Sequence, residues 1–422
     1  MTALLSVLLL AAAAPLEPPS DGSAAPFVPA YQVETDGGVA LATDGGIAPT
    51  ADGGLPESEL APALAPKHVD WLVIPLFTYN SDAKFGYGGA GQVQGAGGVD
   101  PYRYQLAAQI LFYTGGVQSH WIHYDSPQFL GTKFRVWGRL EYHREKFQPY
   151  YGVGNDTSSN VNDYMGLSGS NPFTYDRIGP FIRGGVAYPV IPDLYLFGFA
   201  AYQDTTIHEY AGSLLEQQQP YGILGGHELE LNVGFYYDTR DRQAVPGRGG
   251  LIEFSARGVD SALLSSFTYG GLDLKMLYFK TIIENRLVLA LRAQGDALSN
   301  GTPFFELPNF GGVEPYDGVG GLWSQRGMPE DRYVARFKFI GTLELRSTLA
   351  TFFVRRQPLN LGVDVFTDLG RVYQPGMPDG PFIHPAVGAG IRLWRRSFVL
   401  RVDVATSAER GFNLYLVFGN FF

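Results

Sequence analysis

The 422-residue chain contains no cysteine. That excludes disulfide frameworks and thiolate metal sites, and it suits a protein that crosses an oxidising compartment unfolded. Basic residues are outnumbered: 31 Lys and Arg stand against 41 Asp and Glu, for a net charge of −10. This argues against a nucleic-acid partner, because neutralising phosphates requires a concentrated basic face. Beyond Lys67 there is no run of eighteen apolar residues, so no helical membrane span is expected. Residues 1–66 carry no Lys or Arg at all.

Glycine and aromatics are plentiful, with 54 Gly and 14% aromatic residues, a composition that favours many short strands joined by turns. The opening MTALLSVLLLAAAA (1–14) is an apolar stretch ending in small residues. It has the length and flank of a secretory signal peptide, with cleavage expected near Ala13 or Ala14. Residues 15–66 are rich in Ala, Pro, Gly and Asp, with DGG at Asp36, Asp44 and Asp52. Such a segment buries too little apolar surface to offset its ordering entropy, so it reads as a disordered periplasmic linker. The DGG repeats lie eight residues apart, too far for the closely spaced oxygens of a calcium loop. The expected folded body is 67–422.

Within that body the pattern is alternation. Phe134, Val136, Gly138, Leu140 and Tyr142 occupy one parity, and Lys133, Arg135, Arg139, Glu141 and His143 the other. Leu231, Val233 and Phe235 alternate with Glu230 and Asn232, Leu343 and Leu345 with Glu344 and Arg346, and Val363 and Val365 with Asp364. A period of two with one greasy and one charged face marks strands between a dry and a wet compartment. Length decides which compartments. Stretches such as 133–146, 226–239 and 336–350 exceed a soluble strand and reach the roughly nine to eleven residues that cross a bilayer at a tilt. The alternation predicts an all-β, transmembrane antiparallel barrel of about sixteen strands in the outer membrane. Its long connections 148–173, 208–225, 296–333 and 372–384 share one side, and its tight turns the other, which is the outer-membrane asymmetry. The charged parity then faces the lumen and the apolar parity faces outer-membrane lipid. The chain closes on Leu414, Leu416, Phe418 and Phe422, expected together on the lipid face, with Phe422 as a targeting signal for the barrel-assembly machinery.

Four ordered segments resemble the barrel domain of the BamA and TamA family, the bacterial surface antigen superfamily that includes two-partner secretion transporters. They are YDTRDRQAVPGRGGLIEFS from Tyr237, Gln325-Arg326-Gly327-Met328 followed by GTLELR at 341–346, FTDLGRVY at 366–373, and the closing strands from Ala386. YYGVGNDT at 150–157 adds a fifth likeness. The resemblance implies that the long sixth extracellular loop folds back into the lumen. There Arg326, beside Gly327, would dock on Asp368, and Glu344 is a second candidate acceptor. Parity alone also puts Asp364, Asp368 and Glu344 on the lumen face. The likeness departs at the loop motif, where Gln325 and Met328 replace an apolar and an aromatic residue. It departs again before the barrel, where 15–66 is too short for a polypeptide-transport-associated domain. Strand pairing at a seam between the first and last strands, which the family implies, needs only the barrel, since open strand edges template pairing. Gly411 and Gly419 are candidates for loosening it.

No catalytic constellation is legible. His120 and His123 are three apart on a strand and point to opposite faces, which excludes a shared metal, and Asp238 and Asp241 lie beside Arg240 and Arg242 as ion-pair partners. No enzyme, cofactor or metal site is expected. The leading function is assistance in inserting or translocating a protein or lipid substrate at the outer membrane. The alternatives are a passive pore and a structural or surface-anchoring barrel.

Overall fold

The computed structural model describes residues 69–95, 102–168, 170–242, 245–313, 318–354, 357–381, 383–395, 398–418 and 422. The expected signal peptide, linker and Gly419 lie outside these residues. Sixteen strands follow in order: β1 (Val69–Asn80), β2 (Lys84–Gly95), β3 (Tyr104–Tyr113) and β4 (Val117–Ser126). Next come β5 (Arg135–Pro149), β6 (Thr174–Ile191), β7 (Leu194–Glu209) and β8 (Gly226–Asp238). Then β9 (Gly249–Val259), β10 (Tyr269–Ile283), β11 (Leu287–Leu298) and β12 (Phe337–Val354). The last four are β13 (Gln357–Tyr373), β14 (His384–Arg395), β15 (Phe398–Ser407) and β16 (Asn413–Phe418). Each bonds its sequence neighbours, and β16 meets β1, so the sheet closes into an antiparallel barrel.

Alternation sorts side chains as the sequence predicts. On β12 and β13, Leu343 and Val365 are 48% and 52% exposed, whereas Glu344 and Asp368 are wholly buried. A Lys or Arg on the outer parity would meet hydrocarbon at roughly 2–4 kcal/mol near the midplane. Lys338 and Arg346 on β12 and Arg392 on β14 accordingly turn inward. The long connections 150–173, 210–225, 299–336 and 374–383 gather at one rim. Asp193 turns the chain between β6 and β7 at the other rim, with φ +65°.

Some boundaries and faces differ from the sequence reading. β5 begins at Arg135 because Phe129–Gly131 forms a short helical turn in which Leu130 takes φ +53°. Phe418, expected on the lipid face, is buried, and so is Phe422. The Phe422 ring is buried 5.9 Å from that of Phe279, with the guanidinium groups of Arg346 and Arg292 at 4.9 and 5.4 Å. The two cations hold the ring by its π face.

Candidate functional site

Arg326 lies in the 299–336 connection, yet no part of it reaches solvent. Its Nε donates to Asp368 Oδ2 at 2.9 Å and its Nη2 to Asp368 Oδ1 at 3.2 Å, a bidentate fork. Its backbone N–H reaches the same carboxylate at 3.0 Å. Nη2 also donates to Glu344 at 3.0 Å and Nη1 to Asp403 at 3.2 Å. The guanidinium lies 3.3 Å from the Phe366 ring centroid. Burial works against this charge, but the three carboxylates outweigh it and hold the guanidinium protonated beyond the ordinary arginine range. A planar fork with five donors fits such a nest of carboxylates, and a lysine would not.

The nest is itself braced. Glu344 accepts from Arg346 at 2.6 Å and Arg392 at 3.2 Å, and Asp403 pairs with Arg401 at 3.1 Å. All these residues share the inward parity of β12 to β15, so one loop residue ties together strands β12, β13 and β15. The structure brings Arg326, Glu344 and Asp368 together. Phe366 opens the same FTDLG segment as Asp368, whereas Asp403 is a member that the sequence reading did not single out, although inward parity on β15 was the available signal for it.

Gly327 is next to the seam. At φ +92°, an added Cβ would sit 3.0 Å from backbone atoms of Thr406 on β15, so the position needs glycine for both conformation and approach. Its carbonyl accepts from Ser407 Oγ at 2.7 Å, and its N–H donates to the Tyr415 hydroxyl at 3.3 Å. Tyr415 pairs with Asn80 across the seam, where the described register holds that pair and Tyr79 with Leu416. Other neighbouring strands pair over longer stretches, seventeen residue pairs for β12 with β13. Near the same rim an ion pair joins Arg410 to Asp82 at 2.6 Å. Met328 is buried, and Gln325 donates its amide to the His384 carbonyl.

The same connection touches the opposite wall. Gly311 N–H donates to Asp296 at 3.1 Å and Val313 N–H to Glu253 at 2.6 Å, while the Asn309 carbonyl accepts from Arg257 at 3.2 Å. At the rim, Arg332 pairs with Glu409 at 2.8 Å and donates to the Thr157 carbonyl at 2.6 Å. Asn155 donates to the carbonyls of Asp379 and Pro381, each at 2.6 Å, and accepts from Val372 N–H. The long connections are thereby bonded to one another.

Of the residues considered for other chemistry, Asp238 forks onto Arg240 at 2.8 Å. His120 stacks on Tyr142, and His123 is buried on the opposite parity.

A closed sixteen-strand antiparallel barrel with an apolar outer parity and a charged inner one defines a transmembrane β-barrel protein. The profile described as the Omp85 superfamily domain matches residues 211–422. The chain belongs to the Omp85 superfamily and is an outer-membrane barrel. Similar solved structures include BamA from Haemophilus ducreyi lacking POTRA domains 1-3, at 14% identity and a TM-score of 0.57, covering 84% of this chain and 70% of that one. CdiB from Escherichia coli, at 11% identity, gives 0.55 over 84% of this chain and 64% of that one. CdiB from Acinetobacter baumannii, also at 11%, gives 0.50 over 84% and 65%. At these identities the likeness is one of fold, and the chain spans less than two thirds of either CdiB. A comparison with curated protein sequences finds no match.

Proposed function

We propose that this barrel assists the insertion or translocation of protein or lipid at the outer membrane. In this reading the β1–β16 seam is the working element, and the 299–336 connection is a lumen plug whose docking controls it. The observation that carries the reading is the bond from Gly327 N–H to Tyr415, because Tyr415 is half of one of the two described seam pairs. Undocking Arg326 would withdraw a support from the strand that closes the barrel. A partly paired edge is a template for an incoming strand, which is the activity that BamA-like barrels suggest. Removing one partner of a buried ion pair costs roughly 3–5 kcal/mol, so the docked state is a defined state that one substitution can shift.

Single-channel conductance in planar bilayers tests the reading, comparing wild type with Arg326→Ala and Asp368→Ala. Low, flickering wild-type current that becomes larger and noisier in both variants is expected. A large, steady current unchanged by either substitution would refute docking and favour the passive pore.

A further inference from the structure

The short register between β1 and β16 has a geometric cause. Along β1, Trp71, Val73 and Phe77 are exposed, while Ile74, Leu76 and Thr78 turn inward and are buried. Ile74 and Leu76 continue through Ala90, Leu111 and Val117 on β2 to β4 in one buried apolar cluster. Leu400 and Phe418 belong to that same cluster, and Leu393 and Leu416 pack against it. These four share parity with Val404, Leu414 and Ile391, which are exposed on the barrel's outer surface. Outer-parity side chains of β14 to β16 therefore lie against inner-parity side chains of β1 to β4. That contact requires an overlap, with β16 passing on the lumen side of β1.

The polar contacts agree. The inward Thr78 hydroxyl donates to the backbone carbonyl of Leu416 at 2.6 Å. Ser81 Oγ accepts from Leu414 N–H at 2.8 Å and donates to the Leu414 carbonyl at 3.3 Å. Side chains on β1 and in the turn after it thus bond the β16 backbone at and just beyond the paired residues Leu416 and Tyr415. Further along, the Phe422 ring sits beside Arg292 and Arg346 of β11 and β12, which places it across the lumen.

We propose that the inner face of β1 to β4 is a binding site for the apolar face of an amphipathic β-strand, occupied at rest by β15 and β16 of the same chain. The proposal rests on the assembly reading above and names where its substrate strand lies. The site recognises a strand by face as well as by edge. Ile74, Leu76, Leu111 and Val117 take alternate apolar side chains, and the hydroxyls of Thr78 and Ser81 take backbone groups whatever the sequence. An acyl chain would satisfy the apolar residues but leave both hydroxyls without partners, and burying an unpaired hydroxyl is unfavourable. The self-occupied state is the resting one, so displacement of β16 exposes the site and frees the β1 edge in a single movement.

The test uses the full chain in lipid nanodiscs and a synthetic peptide of residues 411–422, with benzophenonylalanine in place of Phe418. Crosslinks are mapped by mass spectrometry. In Phe418→Ala protein, whose own strand fills the site less well, capture on the inner-face positions Leu72, Ile74, Leu76 and Leu111 is expected to exceed wild type by about tenfold or more. Adding Thr78→Val, which keeps the volume and removes the hydroxyl, is expected to lower capture about three- to tenfold. Crosslinks confined to the outer residues Trp71, Val73 and Phe77, or no capture by the Phe418→Ala protein, would overturn the site. So would preferential capture of a photoreactive fatty acid at the same residues, which would make it a lipid site. The conductance of the Arg326 variants decides the assembly reading separately, since peptide capture does not depend on it.

Discussion

Gly327→Ala is a small perturbation with a large expected effect. The native φ of +92° costs an L-residue roughly 1–2 kcal/mol. The new Cβ would meet Thr406 N and O at 3.0 Å, backbone atoms of a strand that cannot yield. The loop must then lift by a few tenths of an ångström, which weakens its bonds to Tyr415 and Ser407, each worth about 0.5–1.5 kcal/mol net. Together these give about 2–4 kcal/mol against docking, or about thirtyfold to a thousandfold in the docked equilibrium at 1.4 kcal/mol per decade. Trypsin provides the assay, because the bond after Arg326 is cut only when that fully buried residue comes out. When opening is fast, cleavage tracks the open population. Mass spectrometry of the nick between 326 and 327 should show the rate rise by that factor. Gly376→Ala is the control: its φ of +85° carries similar strain, but an added Cβ meets nothing within 4 Å. Cleavage after Arg326 that is unchanged in Gly327→Ala, or raised equally in Gly376→Ala, would refute the wall-contact argument.

Two further outcomes follow from charge. Burial alone would raise the Glu409 carboxyl, but Arg332 and the Tyr333 hydroxyl outweigh it and hold the group below the ordinary glutamate value. A depressed native pKa contributes stability that is complete above the unfolded value, about 4.3, and lost as pH falls through the native one. The melting-point gap between wild type and Glu409→Gln should therefore close as pH drops from 7 to below about 4, and a pH-independent gap would contradict this. On the outer wall, Val365→Arg places a cation midway along β13, where roughly 2–4 kcal/mol of destabilisation is expected. An unchanged urea midpoint in lipid vesicles would mean that this face does not meet hydrocarbon.

The strands were legible because a long strand between lipid and a wet lumen writes its environment into every second residue, as Leu343, Glu344 and Leu345 do. The Arg326–Asp368 pair was legible through two short motifs whose partners are 42 residues apart. Asp403 was not, because its contact depends on how far the barrel curves between β13 and β15, and no local pattern encodes curvature. How the first and last strands meet was not legible for a related reason. Alternation states which face a side chain takes, but not whether two terminal strands meet edge to edge or overlap. The apolar inner parity of Ile74 and Leu76 was the one available sign, and in the run LVIPLF it is hidden by apolar neighbours of the other parity. Phe422 was assigned by parity alone, which does not register the distant cations Arg292 and Arg346 that hold its ring.

The long reach of the seam also sets an order of assembly. Thr78 and Leu416 are separated by 338 positions, whereas Arg326 and Asp368 are separated by 42. Because loop-closure entropy grows with the logarithm of length, joining the seam costs about 2 kcal/mol more than docking the loop. The bond to Glu344 spans 18 positions and that to Asp403 spans 77, so the entire arginine nest lies within the shorter range. The C-terminal part of the barrel can therefore wrap around its own loop while β1 is still distant. β1 is then the last strand to arrive, at a C-terminal half whose arginine nest has already formed.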